Sequence, residues 1–157
     1  STLSPSSAAS DVYKRQVCGY TPFDGAEYDY YTTTKGILEK VKTHAGDVDF
    51  EVPPELLSLF SNRDFGRYAG EKGEMNVCFI SNNDITGGNS GSAMFNARGE
   101  LLGLAFDGNW EAMSSDILYE PKMQRCIGVD VRYILFMIEK YGKAGNLIRE
   151  LKIVSGK

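Results

Sequence analysis

SNNDITGGNSGSAMFN, residues 81–96, sets Gly87, Gly88 and Gly91 around Asn89 and Ser90 and then runs directly into apolar residues. A buried strand does not tolerate that much glycine, and a flexible linker is less apolar on its flanks. The stretch therefore needs an unusual backbone path. Upstream, NVCFIS (76–81) reads as a short strand ending at the glycines. Downstream, SAMFN and LLGLAF read as two strands joined by ARGE, with Gly99 in the turn. After a long loop, DGNWEAMSSDILYEPKMQ (107–124), RCIGVDV (125–131) reads as another strand.

Helical periodicity brackets these strands. TTKGILEKVKTHAG (33–46) places Ile37, Leu38 and Val41 on one face, with a threonine to cap the start and Gly46 past the end. VPPELLSLFSNRDFGRYA (52–69) predicts a second helix with Pro54 in its first turn and Leu56, Leu57, Leu59 and Phe60 as core. RYILFMIEKYG (132–142) carries Ile134, Met137, Ile138 and Tyr141 at helical spacing and stops at Gly142. NLIRELKIV (146–154) reads as a short amphipathic helix. VCGYTPFDGAEYDYYTT (17–33) is aromatic-, Gly- and Asp-rich and reads as an irregular connection.

The whole chain has 157 residues, 42% apolar and 24% charged, as a globular protein does. A net charge of -4 argues against a general nucleic-acid binder, which would show a basic stripe. No apolar run is long enough to cross a bilayer. Cys18, Cys78 and Cys126 are too few and scattered for a disulfide framework or a metal site, and read as small hydrophobes. The opening sixteen residues, STLSPSSAASDVYKRQ, are polar and lack core periodicity. SSAASDVYKRQ within them resembles the in-frame translation of a transposase-based sequencing adapter. Residues 1–16 are thus expected to be a non-native scar, and the remainder the tail of a longer protein.

A serine hydroxyl is a weak nucleophile unless a neighbouring base activates it, and it needs donors where the carbonyl oxygen becomes negative. The Gly88 and Ser90 amides, two residues apart in a tight loop, suit that second task. Glycine at 87 and 88 frees φ, and Gly91 lets the loop turn into the next strand. The same string also suits a Gly/Ser/Asn-rich hairpin loop without chemistry. The α/β-hydrolase elbow fits poorly, because it needs a helix directly after the serine.

GGNSGS followed by a hairpin resembles the serine loop of chymotrypsin-clan peptidases. NDITGGNSGSAMFNARGELLGLAFDGNWEAMSSDI together with RCIGVDVRYILFMIEKYG resembles the C-terminal part of serine peptidase family forty-six, the bacterial dipeptidyl-peptidases of the seven and eleven type. The resemblance covers essentially all of 17–154. One departure is Ala93, where the family usually has proline.

The resemblance implies a mostly β fold with helices: the C-terminal β-barrel half of a chymotrypsin-like double barrel. Helices of an inserted domain would precede it and a C-terminal helix would end it. The expected divisions are an irregular and helical lead-in over 17–74, the barrel portion over 75–131, and terminal helices over 132–157. The implied roles are Ser90 as nucleophile, with Gly88 completing the oxyanion hole. LLGLAF, ending in Phe106, would pair with the substrate backbone. Asp107 would hold the peptide amino terminus, although an Asp-Gly turn at a strand end reads equally well locally. Gly108 would leave an open S1 pocket for a hydrophobic residue before the cleaved bond (P1), whereas the acidic-preferring branch carries arginine there. Ser115 and Met113 are expected to line the pocket and Trp110 to serve as a packing anchor.

The single histidine, His44, sits at the end of a predicted helix in KTHAG, where the helix dipole favours it. Between it and Ser90 lie only Asp47, Asp49, Asp64 and Asp84, on helix ends, turns or the serine loop. The histidine and aspartate of a catalytic triad are therefore expected outside this chain, and the chain alone is expected to be inactive. An alternative is a non-catalytic module that binds peptide amino termini through Asp107. By resemblance the intact protein acts on peptides with a free amino terminus, needs no metal or organic cofactor, forms a homodimer and is periplasmic or secreted. No nucleic-acid or membrane partner is expected.

Overall fold

The computed structural model describes residues 16–22, 24–70 and 72–154, so the adapter-like stretch lies outside the described residues except for Gln16. Five strands form one sheet: β1 (Tyr31–Thr33), β2 (Asn76–Ser81), β3 (Ala93–Phe95), β4 (Leu101–Gly108) and β5 (Cys126–Asp130), in the order β1-β2-β5-β4-β3. The pairs β2–β5, β5–β4 and β4–β3 are antiparallel. Among the described residues four α-helices accompany it: α1 (Thr34–Thr43), α2 (Pro54–Ser61), α3 (Val131–Phe136) and α4 (Gly145–Arg149). The fold is thus mixed rather than mostly β. The reason is that every segment with 3.6-residue periodicity folds as a helix beside strands that are only three to eight residues long.

The chain forms two compact units. One takes the described residues up to Tyr31 together with Cys78–Val131. The other takes Thr32–Val77 and the chain from Arg132.

In the first unit, Phe79, Met94, Ala105 and Cys126 form the buried core. Phe79 faces Gly128 in register, and Gly128 faces Ala105. A β-carbon on Gly128 would lie 2.9 Å from the Phe79 Cζ and 2.8 Å from the Met94 Sδ. One on Gly103 would lie 2.0 Å from the Val129 carbonyl oxygen. The two glycines therefore make room for an aromatic ring laid flat across the middle of the sheet. Cys126 is buried beside Ser81, and desolvation pushes its thiol up to about 11. Among the described residues no disulfide forms, and Cys18 and Cys78 are half-buried.

In the second unit, Leu56, Phe60, Phe65, Tyr68, Met75 and Phe136 are the buried core, with Ile37 and Leu38 of α1 packed on it. Pro54 opens α2, where a missing N–H costs nothing. The helix expected to run to Tyr141 is α only to Phe136; Met137–Tyr141 forms a wider π turn, closed by the Gly142 N–H donating to the Met137 carbonyl at 2.8 Å. Two ties hold that turn. Tyr68 and Arg67 both bond Glu139, which keeps its carboxyl below the usual range, and the Lys140 ammonium pairs with Asp64 at 2.7 Å. Phe136 is fully buried, with ring centroids 6.0 Å from Phe60 and 6.1 Å from Phe65. Phe136→Ala is expected to cost about 3–5 kcal/mol, read as a lower urea midpoint at unchanged slope.

Candidate active site

The glycine loop leaves β2 and reaches β3 through a stapled turn. The Thr86 N–H donates to the Asn89 Oδ1 at 3.1 Å, and the Asn89 N–H returns a bond to the Thr86 carbonyl at 3.1 Å. Gly88 (φ 92°) and Gly91 (φ 87°) occupy the left-handed region that a β-carbon resists. Gly87 does not, so only two of the three glycines are demanded by backbone geometry. The Gly91 N–H then donates to Ala105 on β4 at 2.7 Å, which turns the chain into β3. Between the two strained glycines the Ser90 side chain stands exposed.

The strand opposite is bulged. Register between β4 and β5 shifts between Ala105 and Asp107, leaving Phe106 as the extra residue. A bulge re-aims the groups beside it. Here the Phe106 carbonyl accepts the Ser90 hydroxyl at 3.2 Å, and the Phe106 side chain is 44% exposed. Asp107 follows, exposed, with its Oδ1 accepting the Gly108 N–H at 2.8 Å. Among the described residues, neither the Gly88 nor the Ser90 amide donates to a protein acceptor.

These groups surround one cavity of about 350 Å³. Ser90, Phe106, Asp107 and Gly108 line one side, and Ile85, Thr86 and Gly87 another. Asn109, Ala112, Met113, Ser115 and Asp116 complete it from the loop after β4. Two bonds tie that loop to the serine loop: Ser115 Oγ donates to the Ile85 carbonyl at 3.2 Å, and Thr86 Oγ1 to the Asp116 Oδ1 at 2.6 Å. Among the described residues the charged groups lining the cavity are Asp107 and Asp116, with no cation. Gly108 is tightly placed, since a β-carbon there would lie 2.9 Å from the Ala112 Cβ.

Of the residues singled out from sequence, the structure brings together Ser90, Phe106, Asp107, Gly108, Met113 and Ser115 on this cavity. Gly88 adjoins it through the loop. Trp110 is not a packing anchor within this chain: it opens a short 3-10 turn and is 84% exposed. His44 caps the end of α1, stacks on Phe50 with centroids 4.1 Å apart, and does not line the cavity. Sequence reasoning missed Asn89, Asp116 and Asn109. For Asn89 the signal was available, because asparagine bonding its own turn backbone is a standard turn device.

The sheet-and-helix arrangement recurs in solved structures. It superposes on DPP11 of Porphyromonas endodontalis in complex with substrate with a TM-score of 0.82 and 42% identity, covering 87% of this chain and 20% of that one. Dipeptidyl-peptidase 7 of the same organism is 57% identical over 138 residues, 88% of this chain and 16% of its own length. An Asp/Glu-specific dipeptidyl-peptidase of Capnocytophaga gingivalis is 47% identical over 139 residues, 88% of this chain and 19% of its own. Fold and relatives agree on one family. The Peptidase S46 family matches residues 15–153, and the chain belongs to that family. It spans between 16% and 20% of the length of these relatives.

Proposed function

We propose that this chain is the C-terminal portion of a serine dipeptidyl-peptidase that releases dipeptides from free amino termini. The observation that carries the reading is an exposed Ser90 hydroxyl at the edge of a cavity, flanked by two amides without protein acceptors among the described residues and sharing that cavity with the Asp107 strand end. Ser90 is the nucleophile. The Gly88 and Ser90 amides receive the oxyanion, where one such donor is worth about a hundred- to a thousandfold in turnover. The histidine and aspartate that activate the serine come from the part of the protein outside this chain. A base arriving there displaces the Ser90–Phe106 hydrogen bond and takes the proton. The sheet then belongs to the second barrel of a chymotrypsin-like pair. The intact protein works as a homodimer in the periplasm or outside the cell.

Asp107 pairs with the substrate ammonium, and the Phe106 segment with its backbone. The cavity takes the side chain before the cleaved bond. Ile85, Phe106, Ala112 and Met113 give it apolar surface, and two carboxylates, with no cation among the described lining residues, disfavour an acidic side chain. Hydrophobic P1 residues are therefore preferred. The test is mass spectrometry of products from a peptide library offered to the full-length protein. Dipeptides ending in hydrophobic residues, released only from unblocked amino termini, support the reading. Peptide binding with Ser90 inert to a fluorophosphonate probe replaces it by a binding module.

Gly108→Arg supplies a cation to the cavity and displaces Ala112. It is expected to lower kcat/KM for hydrophobic P1 by about a hundredfold and to raise it for Asp and Glu. An unchanged preference removes Gly108 from specificity.

A further inference from the structure

The wall of the cavity formed by 112–116 belongs to the loop 109–125, and apolar burial does not hold that loop. Trp110, Met113, Ile117 and Leu118 are all exposed, Ile117 by 92%. Polar side chains hold it instead, among them Asn109, Gln124 and Arg125. Asn109 accepts the Arg125 N–H at 2.8 Å and donates to the Met123 carbonyl at 2.8 Å. Gln124 donates to Ser114 Oγ and to the Leu118 carbonyl, each at 3.1 Å, and accepts the Glu120 N–H at 2.9 Å.

The third is Arg125, 5% exposed. Its Nη1 donates to the carbonyls of Pro121 and Gln124, each at 2.8 Å. Its Nη2 donates to Gly19 at 2.9 Å and Lys122 at 3.2 Å. The Tyr20 ring lies under the guanidinium, 5.4 Å from its centroid. Nε has no acceptor among the described residues, so the group is anchored by its two terminal nitrogens. A planar fork reaches carbonyls of two segments at once, whereas a lysine ammonium is a single point on a flexible stem.

We propose that Arg125 is a positioning residue that sets the S1 wall and so the size of the side chain accepted before the cleaved bond. The inference rests on the assignment of the cavity to that side chain. Without the fork, carbonyls at 19, 121, 122 and 124 lose their donors and the loop relaxes. The ties from Ser115 and Asp116 to the serine loop slacken with it. Bulky P1 side chains, which fill the cavity, lose their wall contacts. Small ones lose little. Ser90 and Asp107 lie outside the loop and keep their places.

The experiment measures kcat/KM of the full-length protein and its Arg125→Lys variant on two free-amino peptides differing only in Leu or Ala before the cleaved bond. The Leu-to-Ala ratio is expected to fall about tenfold, chiefly through a higher KM for the Leu peptide, with fluorophosphonate labelling of Ser90 retained. Gln124→Ala, which removes the bonds to Ser114 and Leu118 but leaves the guanidinium, is expected to shift the ratio the same way by less. It decides the question if Arg125→Lys does not fold. An unchanged ratio in the folded variant overturns the inference, even where overall activity falls uniformly. If the unaltered protein is not labelled, the peptidase reading falls and this inference with it. Labelling with an unchanged ratio overturns this inference alone.

Discussion

On the proposed reading, Ser90→Ala in the full-length protein is expected to abolish dipeptide release, with kcat falling on the order of a millionfold. The substitution removes one oxygen from an exposed position between two left-handed glycines, so no packing is lost. The cavity and the Asp107 strand end stay as they are. Substrate affinity is therefore expected to change little while the chemical step disappears. What remains is the contribution of binding and of the amide donors, typically about a thousand- to ten-thousandfold over water. Stopped-flow binding of a peptide to the variant, alongside a fluorogenic dipeptide assay, reads both quantities. Residual turnover within about tenfold of the unaltered protein would remove Ser90 from the reaction. Labelling by fluorophosphonate at another residue would name its replacement.

Asp107→Asn is expected to lower kcat/KM about a hundredfold for peptides with a free amino terminus. The carboxamide keeps an Oδ1 to accept the Gly108 N–H, so the local turn persists. It loses the charge. A hydrogen bond to a charged group contributes about 1.5–3 kcal/mol, and the upper part of that range is roughly a hundredfold. The second expectation is sharper. Acetylated peptides, which carry no ammonium, are expected to be poor substrates of both forms, so the preference for free over blocked termini should shrink in the variant. Equal loss on both peptides would make Asp107 a turn residue only.

The strands were legible because alternation and turn chemistry agree: NVCFIS, the ARGE hairpin and RCIGVDV all fold where their patterns put them. The serine loop was legible from glycine spacing, although Gly87 needs no special φ. Other features depend on partners distant in sequence. The second unit assembles from Thr32–Val77 and the chain beyond Arg132, and no local window announces that pairing. Arg125 reads locally as a charge at a strand start, yet one of its acceptors is Gly19, more than a hundred positions away. Trp110 misled because a lone tryptophan suggests packing, while its place on a polar-held loop leaves it outside. Phe106 concealed the bulge, since LLGLAF is apolar throughout and the extra residue shows only against β5.

That extra residue makes the interval from Ser90 to Asp107 a ruler with an odd tick. Losing Phe106 would heal the bulge with Asp107 still opposite Ile127, so the carboxylate would keep its face while the carbonyl that accepts the Ser90 hydroxyl disappeared. Length variation in descendants of this sequence should consequently collect at the Ala97–Arg98 tip of the hairpin, where a longer turn shifts no register, and be purged from the last few positions of β4.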